Sequence, residues 1–328
     1  MRCMSSNSTR VAKMTGLDAL GLGSVEQAAA RIAPHAHVTP VLRSRTLDSM
    51  AGCELLFKCE NFQRAGAFKF RGACNAVWSL SDADARRGVV THSSGNHGAA
   101  LALAARDRGI PAHVVVPEGA VASKLDAIRA YGATLHFCAP TMAAREAACS
   151  QVQAQTGAEL VHPFIDPRVI AGQGTAALEL LHEARSLEAL IAPIGGGGLI
   201  GGTAIVARAH SRDMPVFAAE PAGAADAYES LRQGRRVTDI VPQTIADGLR
   251  GTIGAINLEL LQRHRVKVLL VDEDEIVAAM RLLSERLKIV VEPSSATVFA
   301  AVLRHREHFA GLRVGVIVSG GNAAAQTA

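Results

Sequence analysis

Short, unbroken apolar runs alternate along the chain with longer stretches whose apolar residues recur at helical spacing. The runs predict strands at Leu55–Lys58, Gly88–Thr91, Ala112–Val116, Thr134–Phe137, Ala189–Ala192, Val216–Ala219, Val266–Val271 and Arg313–Val318. Between them, segments rich in Ala, Leu, Arg and Glu predict helices, among them Ala99–Asp107 and Glu275–Leu287. Strands that are apolar at every position have no solvent face, so they belong in parallel sheets covered by helices on both sides. The fold class is therefore α/β. Ligand sites in such sheets lie where strands end and helices begin, in glycine-rich turns.

With 328 residues and 49% apolar composition the chain can bury a large core, as one big domain or two smaller ones. No uncharged apolar run reaches the roughly 18 residues of a membrane span. Residues 1–24 are small and polar, without an apolar signal core, and are expected to form a flexible leader. The net charge of +4 is spread without basic runs and aromatics are only 4%, so neither a phosphate-backbone footprint nor base-stacking platforms are present. Nucleic-acid and membrane partners are not expected. Cys3, Cys53, Cys59, Cys74, Cys138 and Cys149 form no CxxC pair and read as reduced thiols of a cytoplasmic protein.

Four strand-to-helix or loop-to-helix turns concentrate chemistry. Gly195, Gly196, Gly197, Gly198 and Leu199 follow a strand and open a helix. Such a run lets backbone N–H groups converge on an anion, with the helix dipole in support, or simply makes a tight turn. It matches neither GxGxxG nor GxxxxGK[ST], which disfavours dinucleotides and nucleoside triphosphates. Lys69 begins an apolar helix, where the dipole disfavours its charge. It either points to solvent or is an amine of lowered pKa suited to imine formation. Thr91–Gly98 (THSSGNHG) gathers hydroxyls, an amide and an imidazole at a helix start, as a carboxylate site or a capped turn. Ser319–Asn322 (SGGN) follows the last strand.

Together, and in this order, these motifs resemble the fold-type-II pyridoxal-phosphate (PLP) enzymes, in their serine/threonine dehydratase and serine racemase branch. The resemblance runs from about Ile32 to Asn322. It rests on KCENFQ with FKFRGA (Lys58–Ala73), SSGNHG, VIAGQGT (Val169–Thr175), GGGGL, TIADGL (Thr244–Leu249), VEPS (Val291–Ser294) and SGGN.

The resemblance implies a tryptophan-synthase-β-like fold of two open parallel-sheet domains with the PLP site in the cleft between them. Residues 25–81 plus 164–328 would form a large PLP-binding domain, and 82–163 a small domain closing over substrate. It implies that Lys69 binds PLP as an imine and removes the α-proton, and that Gly195–Leu199 hold the phosphate. Asn96 would meet the ring's 3-hydroxyl, Phe68 would pack beside the ring, and Ser319 would meet the pyridine nitrogen. Ser93, Ser94, Asn96, His97 and Arg145 would bind substrate. The implied reaction is dehydration of a β-hydroxy L-amino acid of the threonine or serine type to a 2-oxo acid and ammonia, the PLP phosphate protonating the departing hydroxyl. Ser94, on the face opposite Lys69, is either a helix cap or a second base that would permit racemisation.

The resemblance further implies Mg²⁺, or Ca²⁺ or Mn²⁺, on Glu220, the Ala224 carbonyl and Asp226. Spacing alone reads there as a polar helix start. Relatives of this kind are commonly dimers, so the resemblance implies a homodimer. Two departures stand out. Ala67 replaces a serine and Ala99 a glutamine near the expected pocket, which predicts room for a bulkier β-hydroxy amino acid such as phenylserine; an acidic one, 3-hydroxyaspartate, is the other alternative. The chain ends soon after Asn322, so a C-terminal regulatory domain and isoleucine feedback are not expected. A β-replacement enzyme and a non-catalytic binding module are the rival readings.

Overall fold

The computed structural model describes residues 17, 19–184 and 186–323. Ten strands form two sheets: β1 (Val41–Leu42), β2 (Glu54–Cys59), β3 (Val89–His92), β4 (Ala112–Pro117), β5 (Thr134–Cys138), β6 (Glu159–Leu160), β7 (Ala189–Pro193), β8 (Val216–Pro221), β9 (Lys267–Val271) and β10 (Arg313–Val318). A six-stranded sheet runs in the order β1-β2-β10-β7-β8-β9, and a four-stranded one β5-β4-β3-β6. Only β1 is antiparallel, pairing Val41 with Lys58 across β2; every other neighbour is parallel.

The unbroken apolar runs are explained by two-sided burial. Within the larger sheet Leu56, Leu190, Ala192, Val216, Ala218 and Ile317 pack into one core. Their strand neighbours Leu55, Phe57, Ala189, Ile191, Phe217 and Val316 pack into a second core on the opposite face. The smaller sheet repeats the arrangement, with Val89, Val114 and Val116 on one side and Val90 and Val115 on the other. The strands open the cleft-forming turns at their C-terminal ends, as parallel sheets do.

Most of the expected leader, residues 1–16 and 18, lies outside the described residues. Its last part does not continue as leader: Leu22 begins the helix Leu22–Ile32, whose Ser24 hydroxyl accepts the Gly21 N–H at 3.1 Å. Val25, Ala28 and Ile32 on that helix are buried.

A buried ionic cluster fixes the helix that carries Lys69, Lys69–Trp78. The Arg71 guanidinium, with no exposed surface, meets Glu60 at 2.7 Å and Glu179 at 2.6 Å. Lys58, equally buried, meets Glu179 at 2.7 Å and donates to the Thr39 carbonyl at 2.7 Å. The same helix crosses the helix Pro167–Glu183 almost backbone to backbone. A Cβ on Gly172 would lie 2.6 Å from the Gly72 Cα, which is what the small residues of RGA and GQGT permit.

Candidate active site

Lys69 stands in the first turn of its helix, half-buried, with Nζ donating to the Pro163 carbonyl at 3.0 Å and lying 5.1 Å from the Phe68 ring centre. Burial pushes its amine down to about 8, against the nearby negative charge of Glu292, which pulls it upward. Phe68, half-buried, donates its N–H to the Ser319 carbonyl at 2.9 Å, joining the Lys69 turn to the end of β10. The buried Ser319 hydroxyl lies 2.9 Å from the Ser295 hydroxyl. Ser295 is held in turn by the Gly320 backbone, whose N–H and carbonyl are each 2.6 Å away.

The glycine turn after β7 forms a cradle packed so closely that only glycines fit it. A Cβ on Gly196 would sit 2.3 Å from the Phe164 ring, and one on Gly195 would sit 2.9 Å from the Leu249 Cα. Gly197 takes φ +92, in the left-handed region, and precedes the helix Gly198–His210 without offering a side-chain cap. Asn257 braces the turn from below, its amide donating to the Gly196 carbonyl at 2.6 Å and to the Phe164 carbonyl at 2.8 Å.

Asn96 begins the helix Asn96–Arg108 after β3. Its Nδ2 lies 3.0 Å from both oxygens of Glu292, and its Oδ1 accepts from Asn322 Nδ2 at 3.0 Å. Burial raises the Glu292 pKa. Ser93 accepts the Gly95 N–H at 3.3 Å. Ser94 is half-exposed, and among the described residues nothing hydrogen-bonds its hydroxyl; the helix is capped by Gly95 without a side chain. His97 is buried, its Nε2 3.2 Å from the Val161 carbonyl and its Nδ1 enclosed without a partner among the described residues. Burial, then the charge of Lys69, hold that imidazole well below its ordinary range.

Arg145, on the helix Met142–Thr156, is half-buried, with its Nε enclosed and unpaired among the described residues. Its charge helps burial lower the His92 pKa. His92 in turn lies edge-on to His162 at 4.9 Å, and His162 edge-on to Phe164 at 4.6 Å. Burial and the charges of His92 and Lys69 push His162 down to about 3.

Glu220 and Asp226 lie behind the cradle. Glu220 accepts the N–H groups of Ala227 at 2.8 Å and Tyr228 at 2.9 Å, and burial pushes it up to about 8. Burial pushes Asp226 up to about 6; its carboxylate accepts the Ile253 N–H at 2.7 Å, and the next residue, Gly254, donates to the Gly196 carbonyl at 3.1 Å. Ala224 is buried in the intervening turn. Among the described residues no group of three or more His, Cys, Asp or Glu side chains gathers as a metal site.

Of the residues expected from the sequence, Phe68 and Ser319 are joined by a hydrogen bond, Asn96 bonds the Glu292 carboxylate whose charge acts on Lys69, and His97 meets Lys69 through its electrostatic contact. Sequence reasoning assigned no role to Glu292, Ser295, Asn322, Asn257, His92, His162 or Phe164. Glu292 and Asn322 do fall inside the quoted motifs VEPS and SGGN. The two departures are both buried: Ala67 pairs with Gly320 across an isolated bridge, and Ala99 packs into a core of the smaller sheet.

A family model described as "Pyridoxal-phosphate dependent enzyme" matches residues 32–320. The chain belongs to that family. It is 48% identical over 305 residues to the serine racemase of Dictyostelium discoideum, covering 92% of this chain and 94% of the relative. It is also 48% identical over 292 residues to the beta-hydroxyaspartate dehydratase of Paracoccus denitrificans, covering 89% and 93%. The solved maize serine racemase superposes with a TM-score of 0.92 at 44% identity, covering 94% and 95% of the two chains. The chain is thus a fold-type-II PLP enzyme of the serine racemase and dehydratase branch.

The residues present fit this cofactor. An amine of lowered pKa suits imine formation, a glycine turn at a helix start suits a phosphate, and paired buried hydroxyls at Ser319 and Ser295 suit a ring nitrogen.

Proposed function

We propose that this PLP enzyme dehydrates a β-hydroxy L-amino acid of the serine or threonine type to a 2-oxo acid and ammonia. The observation that carries the reading is Lys69: an amine whose pKa burial lowers to about 8, bonded to the Pro163 carbonyl next to Phe164, whose ring packs on the glycine turn after β7. Bound there, PLP supplies the electron sink for loss of the α-proton. Lys69 Nζ takes that proton, its depressed pKa suiting a base at neutral pH. Gly195–Leu199 hold the phosphate, and Asn96, Phe68 and Ser319 fix the ring. Ser93, Asn96 and His97 orient the substrate carboxylate by N–H and hydroxyl donors at the helix start. The C–O bond breaks as the β-hydroxyl takes up one proton, balancing the one Lys69 removes, and leaves as water; the released enamine then adds water to give the oxo acid and ammonia.

Residues 82–163, around the smaller sheet, form the unit that closes over substrate, against 25–81 and 164–328. Mg²⁺ or a similar hard cation occupies the Glu220, Ala224 and Asp226 turn. The buried carboxylates, both raised in pKa, favour a neutralising cation. The enzyme works as a homodimer. Its cytoplasmic placement rests on free cysteines at Cys53, Cys59, Cys74, Cys138 and Cys149.

Two specific observations favour further readings. The Ser94 hydroxyl, without a hydrogen bond among the described residues, suits a second base for racemisation. The enclosed, unpaired Nε of Arg145 and Nε2 of His92 suit a second carboxylate, as in 3-hydroxyaspartate. One experiment separates them. PLP-loaded enzyme with Mg²⁺ is incubated with L-serine, L-threonine, L-threo-3-hydroxyaspartate and L-phenylserine, following oxo acid, ammonia and the enantiomer of remaining substrate. Oxo acid that vanishes in Lys69→Ala supports the dehydratase. Inverted amino acid without oxo acid, lost in Ser94→Ala, replaces it with a racemase.

A further inference from the structure

Beyond the groups that touch cofactor and substrate, two charged side chains span the cleft mouth. Lys124 lies on the helix Ala122–Ala130, between β4 and β5 of the smaller sheet. Asp247 lies in the single turn Asp247–Leu249, fastened to the larger sheet's side of the cleft. That turn is part of the cradle wall: the Leu249 Cα stands against Gly195, and the Gly248 N–H donates to the Ser294 hydroxyl at 3.0 Å. The Lys124 ammonium is hydrogen-bonded to the Asp247 carboxylate.

We propose that Lys124 and Asp247 are a positioning pair, whose ion pair across the cleft draws the smaller sheet's unit onto the cradle and sets Asn96 against Glu292. Three features support this. The ties beside it, Asn96 to Glu292 and Asn96 to Asn322, are one-sided in charge or neutral, so next to the Asn96–Glu292 contact this pair supplies the attraction between opposite charges; Arg64 with Asp107 at 2.6 Å and Arg168 with Glu159 at 3.1 Å are further ion pairs between the same two units. The two side chains are 36% and 43% exposed, so opening the cleft returns both to water at little cost and the contact is reversible. Both charges also reach buried Glu292, Asp247 raising its pKa and Lys124 lowering it. Closure therefore cancels a negative charge beside the carboxylate that faces Lys69.

The test uses the PLP-loaded enzyme with Lys124→Gln, Asp247→Asn, the double variant and the charge exchange Lys124→Asp/Asp247→Lys. Its kinetic arm rests on the dehydratase reading; its exchange arm does not. A half-exposed ion pair predicts a rise in KM of about two- to fivefold for each single variant, with kcat nearly unchanged. The double variant is no worse than either single one, and the charge exchange recovers most of the loss. Wild-type KM rises with salt, whereas the variants' KM is salt-independent. By hydrogen–deuterium exchange, amides of 122–130 and of the first turn after Asn96 exchange faster in Lys124→Gln and return in the charge exchange. Additive effects in the double variant, or unchanged exchange in Lys124→Gln, overturn the proposal. An enzyme without oxo-acid activity whose exchange nevertheless responds as stated retains the latch and loses only the dehydratase reading.

Discussion

Asn96 and Glu292, 196 residues apart, meet with the amide nitrogen 3.0 Å from each carboxylate oxygen. One belongs to the helix after β3 in the smaller sheet, the other caps the helix Pro293–Arg304 next to β10 in the larger. Glu292 is 5% exposed, so its charge acts on the cleft largely unscreened. It favours the protonated form of Lys69, while burial favours the neutral one and wins.

The sign of a pH prediction follows. Only the free amine attacks the cofactor's aldehyde, so in apoenzyme the rate of imine formation rises with pH and reaches half its plateau near the Lys69 pKa, about 8. Glu292→Gln removes a charge that stabilises the ammonium and moves that midpoint to lower pH. Rapid-mixing absorbance of PLP binding across a pH series measures it. A midpoint unmoved by the substitution would mean that Glu292 is uncharged in the folded protein.

Much of this was legible in the chain, for physical reasons that also mark where legibility stops. Each of the eight apolar runs became a strand, because two-sided burial demands apolar residues at every position. β1 and β6 have two residues each, too few for any period. The first turn of the helix Leu22–Ile32 falls inside the expected leader, because Gly21, Gly23 and Ser24 share the small, polar composition of the residues before them. The turns that position Lys69, Asn96 and Ser319 were legible through glycines and small polar residues at strand ends. Glu292 was not: a glutamate before a helix reads as ordinary compensation of the helix dipole, and its partner is remote in sequence. Arg71 stood inside a quoted motif, yet arginines are usually exposed, and no local pattern announces one with no exposed surface.

The cradle's tolerance is narrow. Gly196→Ala would place a methyl 2.3 Å from the Phe164 ring, a clash that overpacked sites resolve at a cost of about 1–3 kcal/mol. The expected result is a lower melting temperature and weaker retention of PLP on dialysis. Gly196→Ala/Phe164→Ala makes room and recovers part of both. Undiminished PLP retention in the single variant would show that the turn does not hold the phosphate.

The Glu220 turn yields a binding prediction. Asp226 reaches the glycine turn through adjacent residues, Ile253 and Gly254, so a cation bound there would stiffen the backbone of the proposed phosphate site. Mg²⁺ or Ca²⁺ at a hundredfold excess over Kd stabilises the fold by about 2.7 kcal/mol, read as a higher melting temperature. Glu220→Gln abolishes the increment. An equal increment in that variant places the cation elsewhere.

Arg71 anchors the Lys69 helix through four carboxylate contacts, from 2.6 to 2.8 Å, with Glu60 and Glu179. Arg71→Met keeps the volume and strips the charge, leaving the fully buried Glu60 without its cation. Breaking such a pair from one side costs about 3–5 kcal/mol, because the remaining charge stays desolvated. Urea denaturation of Arg71→Met measures this loss, and Arg71→Met/Glu60→Gln, which removes the orphaned charge, regains much of it. Glu179 keeps Lys58 at 2.7 Å, so Arg71→Met/Glu179→Gln recovers less. That ordering separates an electrostatic anchor from mere packing: if both double variants behave alike, the cluster stabilises the helix by its shape rather than its charges.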